Sequence, residues 1–201
     1  GSWALADAEM RTPGYATTWV LVQFGHNDQP GKPGRSTDLQ REFPDNLRRY
    51  VREIRAAGAQ PVLLTPLTRR QFADGVLIDD LAPWAEAVRT VAHEMKVPLV
   101  DLHARSRAVV QALGPVAAMP LAQAAATPAQ VSAALGGTTV GAAPVAGAPV
   151  AQNNAVTEPM GQAKLAFDYT HLGPDGAALF ATLVTEELAR QVPSLRPLLI
   201  P

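Results

Sequence analysis

Apolar residues fall into two alternating patterns along this chain: short unbroken runs, and stretches in which every third or fourth position is apolar. The clearest run is residues 19–24 (Trp-Val-Leu-Val-Gln-Phe), rich in β-branched and aromatic residues, which predicts a strand buried on both faces. It switches abruptly to Gly25, His26, Asn27 and Asp28, four residues that gain nothing from a core. Residues 61–65 predict a second strand that ends in the polar cluster Thr68-Arg69-Arg70, and residues 97–102 a third, with Asp101 at its end. In open α/β sheets ligands bind at the carboxyl ends of the strands, so these polar ends are where function is expected.

The helical pattern fills the intervals. Residues 3–16 predict a short helical piece that ends near Pro13-Gly14. Pro44 suits a first helical turn, and Leu47, Tyr50, Val51 and Ile54 form the apolar face of a helix that Gly58 stops. Asp79 or Asp80 is placed to cap a helix whose face is Leu81, Trp84, Val88, Val91, Ala92 and Met95. A helix through Val109, Val110 and Leu113 stops at Gly114. Pro174 starts a final helix with Leu179, Phe180, Leu183, Val184 and Leu188 as its buried stripe. Strands alternating with amphipathic helices predict an α/β fold with a parallel sheet and right-handed crossovers.

Composition narrows the class. The chain has 201 residues, 47% hydrophobic and 17% charged, which suits one globular domain with a substantial core. A net charge of −1 without a basic stripe argues against a nucleic-acid partner. No apolar run approaches the roughly 20 residues that cross a bilayer. There is no cysteine, which excludes a disulfide scaffold, a thiol nucleophile and a Cys-based zinc site. His26, His93, His103 and His171 lack ligand spacing with carboxylates, so no metal or other cofactor is expected. The helical positions of His93 and His103 suit exposed or half-buried side chains.

Between residues 115 and 163 the chain becomes Ala, Gly, Pro, Val and Thr with scattered Gln, and Glu158 is its only charged residue. So long a stretch predicts either a low-complexity insertion with some helix over Pro128–Leu135, or a lid that shapes the site it leads into.

That site is Phe167-Asp168-Tyr169-Thr170-His171-Leu172-Gly173-Pro174-Asp175-Gly176-Ala177. Asp168 and His171, three apart in a loop, allow a carboxylate to fold onto imidazole Nδ1. This is the orienter and base of a nucleophilic triad, and the same spacing also fits a capping Asp with an exposed His. Asn27 at a strand end can donate a hydrogen bond to a developing oxyanion, worth about 3 kcal/mol in favourable cases, or can cap its own turn.

Taken together, Gly25-His26-Asn27-Asp28 after a Val-Leu-Val-Gln-Phe strand and Asp168-x-x-His171-Leu-x-x-x-Gly176-Ala177 resemble the SGNH (GDSL-type) hydrolases. Within them the chain looks most like the rhamnogalacturonan acetylesterase branch of carbohydrate esterases, a likeness that extends to residues 65–72 and 100–106. The resemblance implies a three-layer α/β/α sandwich of the flavodoxin-like kind. It implies hydrolysis of O-acetyl esters on plant cell-wall polysaccharide, in a secreted or periplasmic setting. By similarity His171 is the general base, Asp168 its orienter and Asn27 an oxyanion donor presented by a turn at Gly25. His26 and Arg69 or Arg70 fall at the rim of the site, where Arg could meet acidic sugars.

The chain departs from the family in one respect. The Gly-Asp-Ser block that carries the nucleophile is absent, as is the second block with its oxyanion glycine. The first residues are Gly1-Ser2 rather than Met, so the expectation is a fold incomplete at its N-terminus whose nucleophile lies upstream. Of the serines present (Ser2, Ser36, Ser106, Ser132, Ser194) only Ser36 falls in a loop near the expected site, and nothing places it on a strand-to-helix elbow. A chain in this state is expected to hydrolyse esters poorly or not at all. The alternative is a non-catalytic, sugar-binding or partner subunit. Without a preceding strand, the strand at 19–24 would expose an apolar edge, which invites self-association.

Overall fold

A computed structural model describes residues 2–141 and 166–199, which fall into two compact units. Unit 1 comprises Gly1–Thr68, Asp79–Arg107 and Ala181–Pro201; unit 2 comprises Arg69–Ile78 and Ala108–Phe180. The second half of the Ala-rich stretch, including Glu158, lies outside the described residues.

Unit 1 is the α/β part. Its sheet has three parallel strands, β1 (Trp19–Gln23), β2 (Gln60–Leu64) and β5 (Leu99–Val100), in the order β1-β2-β5. Trp19 pairs with Gln60 and Gln23 with Leu64 across β1 and β2, while Leu63 pairs with Leu99. The preceding helix α1 is Ser2–Met10. Helix α2 (Glu42–Ala56) lies between β1 and β2 in the chain, and α3 (Ala82–Met95) precedes β5. The expected faces are the ones buried: Leu47, Val51 and Ile54 from α2, and Trp84, Val88, Val91 and Ala92 from α3, join Val22, Leu63 and Val97 in one core. Phe43 meets Trp84 edge-on at 4.8 Å between ring centres, a favoured aromatic geometry.

Three expectations are corrected here. β1 is not buried on both faces. Val22 is inside, but Leu21 is 44% exposed and Phe24 43%, because β1 stands at the edge of the sheet with β2 as its one partner strand among the described residues. The α3 cap is not an aspartate: Leu81 occupies that position without a side-chain cap, and Pro83 sits in the first turn. Asp79 is spent elsewhere. Its Oδ1 lies 2.8 Å from His103 Nε2 and its Oδ2 2.8 Å from Arg107 Nε, and His103 is buried rather than exposed or half-buried. Asp101, after β5, accepts from Thr65 Oγ1 and two Arg89 nitrogens. Burial works against its charge, and hydrogen bonds from Arg89, the Ala104 amide and Thr65 together outweigh that, holding the carboxyl below the usual carboxylate range. Asp101 is thus a structural strand-end residue.

Helix α4 (Leu102–Ala117) breaks at Gly114, whose φ of 74° is left-handed and costs only glycine nothing.

Unit 2 begins with a hairpin that the sequence reading passed over, β3 (Phe72–Ala73) and β4 (Val76–Leu77). Its turn is Asp74-Gly75 with both φ angles positive, the two-residue hairpin signal. A 3-10 turn (Met119–Leu121) and helix α5 (Pro128–Leu135) follow, the latter where the sequence predicted it. Thr127 and Gln130 form a capping box at its start. Met119, Ala122 and Ala134 close a small core with Phe167 and Tyr169, so residues 119–141 hold structure and are not a featureless linker. Helix α6 (Pro174–Gln191) begins in this unit, in the expected register.

Candidate active site

Two loops carry the candidate residues, one in each unit. In unit 1 the chain leaves β1 through Phe24 into a turn over residues 26–28. Gly25 has φ +134°, and a Cβ there would meet Pro66 Cγ at 3.1 Å, so both conformation and space require glycine. Asp28 closes the turn: its Oδ2 accepts from the Gly25 amide at 2.9 Å, and its Oδ1 from Thr37 Oγ1 at 3.2 Å. This holds the exposed Asn27 at the tip, with His26 half-buried beside it. Asn27 and Asp28 line a cavity of about 310 Å³ with Phe24, Arg35, Thr37 and Tyr50. Asp28 was not singled out from the sequence as a site residue, although its place three residues after a turn glycine is a recognisable closing position.

Ser36 lies in the following loop and is committed to it. Its hydroxyl accepts from the Lys32 amide at 2.9 Å and donates to the Gln29 carbonyl at 2.8 Å. Ser106 is fully buried, accepting from the Thr68 amide and donating to the His103 carbonyl. Neither sits on an exposed elbow.

In unit 2 the loop before α6 brings Asp168, His171, Arg69 and Arg70 together. Asp168 Oδ2 is 2.6 Å from His171 Nδ1. Asp168 Oδ1 accepts from the amides of Thr170 at 2.7 Å and His171 at 2.6 Å. Burial raises the carboxyl's pKa. The His171 amide, the His171 ring and the Thr170 amide more than offset this, so the group stays ionised well below the ordinary carboxylate range. The imidazole itself is 68% exposed, and Nε2 is the ring nitrogen that Asp168 does not hold. Chemically this is a carboxylate that fixes one tautomer and orientation of an accessible base.

The two arginines part company. Arg69 is half-buried, with its Nε 3.3 Å from Thr170 Oγ1. Arg70 is not at a rim, contrary to expectation: it is 2% exposed, and its guanidinium donates to the carbonyls of Asp168, Thr170 and His171. A positive head that buried cannot meet a sugar.

The loop also depends on two glycines. A Cβ at Gly173 would lie 2.5 Å from the Ala122 carbonyl oxygen, and one at Gly176 would lie 2.3 Å from that of Leu121. The first turn of α6 therefore rests directly on the backbone of the 3-10 segment, with Ala122 and Leu172 bridged.

Among the described residues no cluster of His, Asp and Glu could hold a metal ion, and no helix is long and apolar enough to cross a membrane.

The chain is similar to known proteins in sequence and in fold. A family described as GDSL-like Lipase/Acylhydrolase matches residues 2–179. The chain is 36% identical over 91 residues to the probable rhamnogalacturonan acetylesterase YesY of Bacillus subtilis, covering 45% of this chain and 42% of that protein. It is 37% identical over 98 residues to the rhamnogalacturonan acetylesterase RhgT of the same organism, covering 48% of this chain and 41% of that one. The aligned stretch thus spans less than half the length of these relatives. In fold it is similar to the Bacillus subtilis protein YXIM, with a TM-score of 0.57 at 21% identity over 92% of this chain and 43% of that one. It is also similar to an acetylxylan esterase from Geobacillus stearothermophilus, with a TM-score of 0.52 at 17% identity over 92% of this chain and 64% of that one.

Proposed function

This chain belongs to the GDSL-like lipase/acylhydrolase family, and from that premise we propose that it carries the base and oxyanion parts of a site that removes acetyl groups from a plant cell-wall carbohydrate. The observation that supports this most directly is the 2.6 Å contact between Asp168 Oδ2 and His171 Nδ1 in a loop that leaves the ring accessible. The relatives named as rhamnogalacturonan acetylesterases supply the substrate class.

In this reading His171 Nε2 takes the proton from a serine hydroxyl as the hydroxyl oxygen attacks the ester carbonyl. Asp168 stabilises the imidazolium that forms, and His171 then returns the proton to the departing sugar oxygen. Water attacks the acetyl-enzyme in a second round with the same base, releasing acetate. Asn27, held out by the Gly25–Asp28 closure, donates to the oxyanion. Arg69 is the arginine left for an acidic sugar. The attacking serine belongs to a Gly-Asp-Ser block that this sequence does not contain. That absence supports a second reading, a sugar-binding or partner subunit that does no chemistry. A secreted or periplasmic setting fits a polymeric plant substrate under either reading.

Acetate release from acetylated rhamnogalacturonan decides between them, measured with this chain and with a form extended by the residues encoded upstream of Gly1. The extended form is expected to be active, and His171→Ala to lower its kcat by about 10³-fold or more. Upstream sequence without a Gly-Asp-Ser block would sink the serine mechanism. For the chain alone no turnover of p-nitrophenyl acetate is expected. Turnover lost in His171→Ala but kept in Ser36→Ala would instead mean that His171 activates water directly.

A further inference from the structure

Arg70 heads the fully buried side chains in size, and the mechanism above gives it no part. Its surroundings are unusual for an arginine, because the hydrogen bonds that hold it run to backbone carbonyls. Nη2 donates to the carbonyls of Asp168 at 3.1 Å and His171 at 2.8 Å, and Nη1 reaches that of Thr170 at 3.4 Å. The Arg70 amide donates to the remaining one, Tyr169, at 2.9 Å. Four successive carbonyls, 168 to 171, therefore accept from one residue. In an α-helix successive carbonyls also point one way, but each meets an N–H of the next turn; residues 168–171 lie outside any helix, and here the Arg70 guanidinium and amide supply the donors instead.

The other side of the same peptide groups is equally committed. The amides of Thr170 and His171 point at Asp168 Oδ1, and the carboxylate's other oxygen holds His171 Nδ1. The loop is thus polarised across its width, with carbonyls toward a buried cation and amides toward a carboxylate. Tyr169, between them, is anchored separately by its hydroxyl on the Val140 carbonyl at 2.8 Å.

We propose that Arg70 is a positioning residue: by collecting these carbonyls it aims the Thr170 and His171 amides at Asp168, and so sets the carboxylate against His171 Nδ1. The proposal rests on the reading of Asp168 and His171 as the orienter and base. Burial pushes the Arg70 pKa down to about 10, with the Asp168 charge working the other way, so the cation persists at neutral pH. A lysine there carries the charge but lacks the planar fork, and one ammonium cannot reach carbonyls on three residues in the same arrangement.

The test uses nuclear magnetic resonance on the chain as it stands, since the readouts report dyad geometry whether or not the esterase reading holds. In the wild type, the His171 Nδ1 proton should appear as a downfield, exchange-protected signal, and the Asp168 carboxyl should titrate below the ordinary aspartate range. In Arg70→Lys both are expected to go: the signal is lost and the Asp168 midpoint rises toward that of a free aspartate. A folded Arg70→Lys that keeps both would overturn the proposal, because it would make Arg70 a structural filler. Should Arg70→Lys not fold, the wild-type guanidinium decides. Separate, slowly exchanging Arg70 Nη protons are expected of a clamped fork, and one averaged signal would refute it.

Discussion

Gly176→Ala is the sharpest available probe of how the base loop is mounted. The helical position would ordinarily favour alanine by about 1 kcal/mol over glycine. Here the added Cβ would stand 2.3 Å from the Leu121 carbonyl oxygen and 3.1 Å from Leu172 Cδ2, against an ordinary contact of 3.4 Å or more. The Leu121 oxygen must therefore retreat by about an ångström, and it is not free to do so, since it accepts from the Gly173 amide at 2.9 Å. Overpacking of this kind costs about 1–3 kcal/mol, and a weakened backbone hydrogen bond adds about 0.5–1.5 kcal/mol. Net of the helix gain, a loss of about 1–3 kcal/mol is expected. For a chain of this length that is about 2–4 °C of melting temperature per kcal/mol, read by circular dichroism. Gly141→Ala is the matched control, because a Cβ there meets nothing within 4 Å; it should melt within about a degree or two of wild type. A Gly176→Ala protein as stable as the control would show that α6 does not rest on the 3-10 backbone, and the account of the loop would fail.

Other outcomes follow from the same structure. The depressed Asp168 pKa contributes stability that is present above the ordinary aspartate value and is lost as pH falls through the folded value. The melting difference between wild type and Asp168→Asn should accordingly be full at neutral pH and shrink below about pH 4; a difference that grows with acid would contradict the assignment. Asp79→Ala removes the carboxylate that lies against buried His103 and exposed Arg107 and should lower stability by about 1–3 kcal/mol in urea. The free edge of β1 is proposed to pair with a second copy of the chain, since among the described residues β1 has a partner strand on one side only and Leu21 is exposed on it. Light scattering should then show a dimer that Leu21→Lys converts to monomer, and a monodisperse wild-type monomer would count against the pairing.

Periodicity made the helices and the parallel sheet legible, because burial of α2 and α3 is what their spacing encodes. The burial of β1 was misread for a reason of topology. The run at 19–24 is as apolar as an interior strand, and its edge position depends on which strands neighbour it, a property no local window holds. Asp79 misled in a similar way. An aspartate ahead of a helix resembles a cap, but its partners, His103 and Arg107, are more than 20 residues away in sequence. The hairpin at Asp74-Gly75 carries a two-residue turn signal, but its strands, Phe72–Ala73 and Val76–Leu77, are too short to show an alternating pattern.

The same contrast separates the residues of the site. Asp168 and His171 were recognisable because their contact is local: three residues of loop bring a carboxylate to a ring nitrogen. Arg70 was not, since its sequence neighbours give it the look of a solvated pair with Arg69, and its partners lie about 100 residues on. Two adjacent arginines of opposite fate also bear on how a loss of function should be read. Arg69→Ala changes a half-buried side chain and should act on substrate affinity, raising KM for an acidic polymer but not for p-nitrophenyl acetate in an active, extended form. Arg70→Lys should act on kcat for both substrates alike, because a displaced base is displaced for every ester. Equal effects of the two variants on both substrates would show that the arginines share one role, and would remove the distinction on which the positioning argument depends.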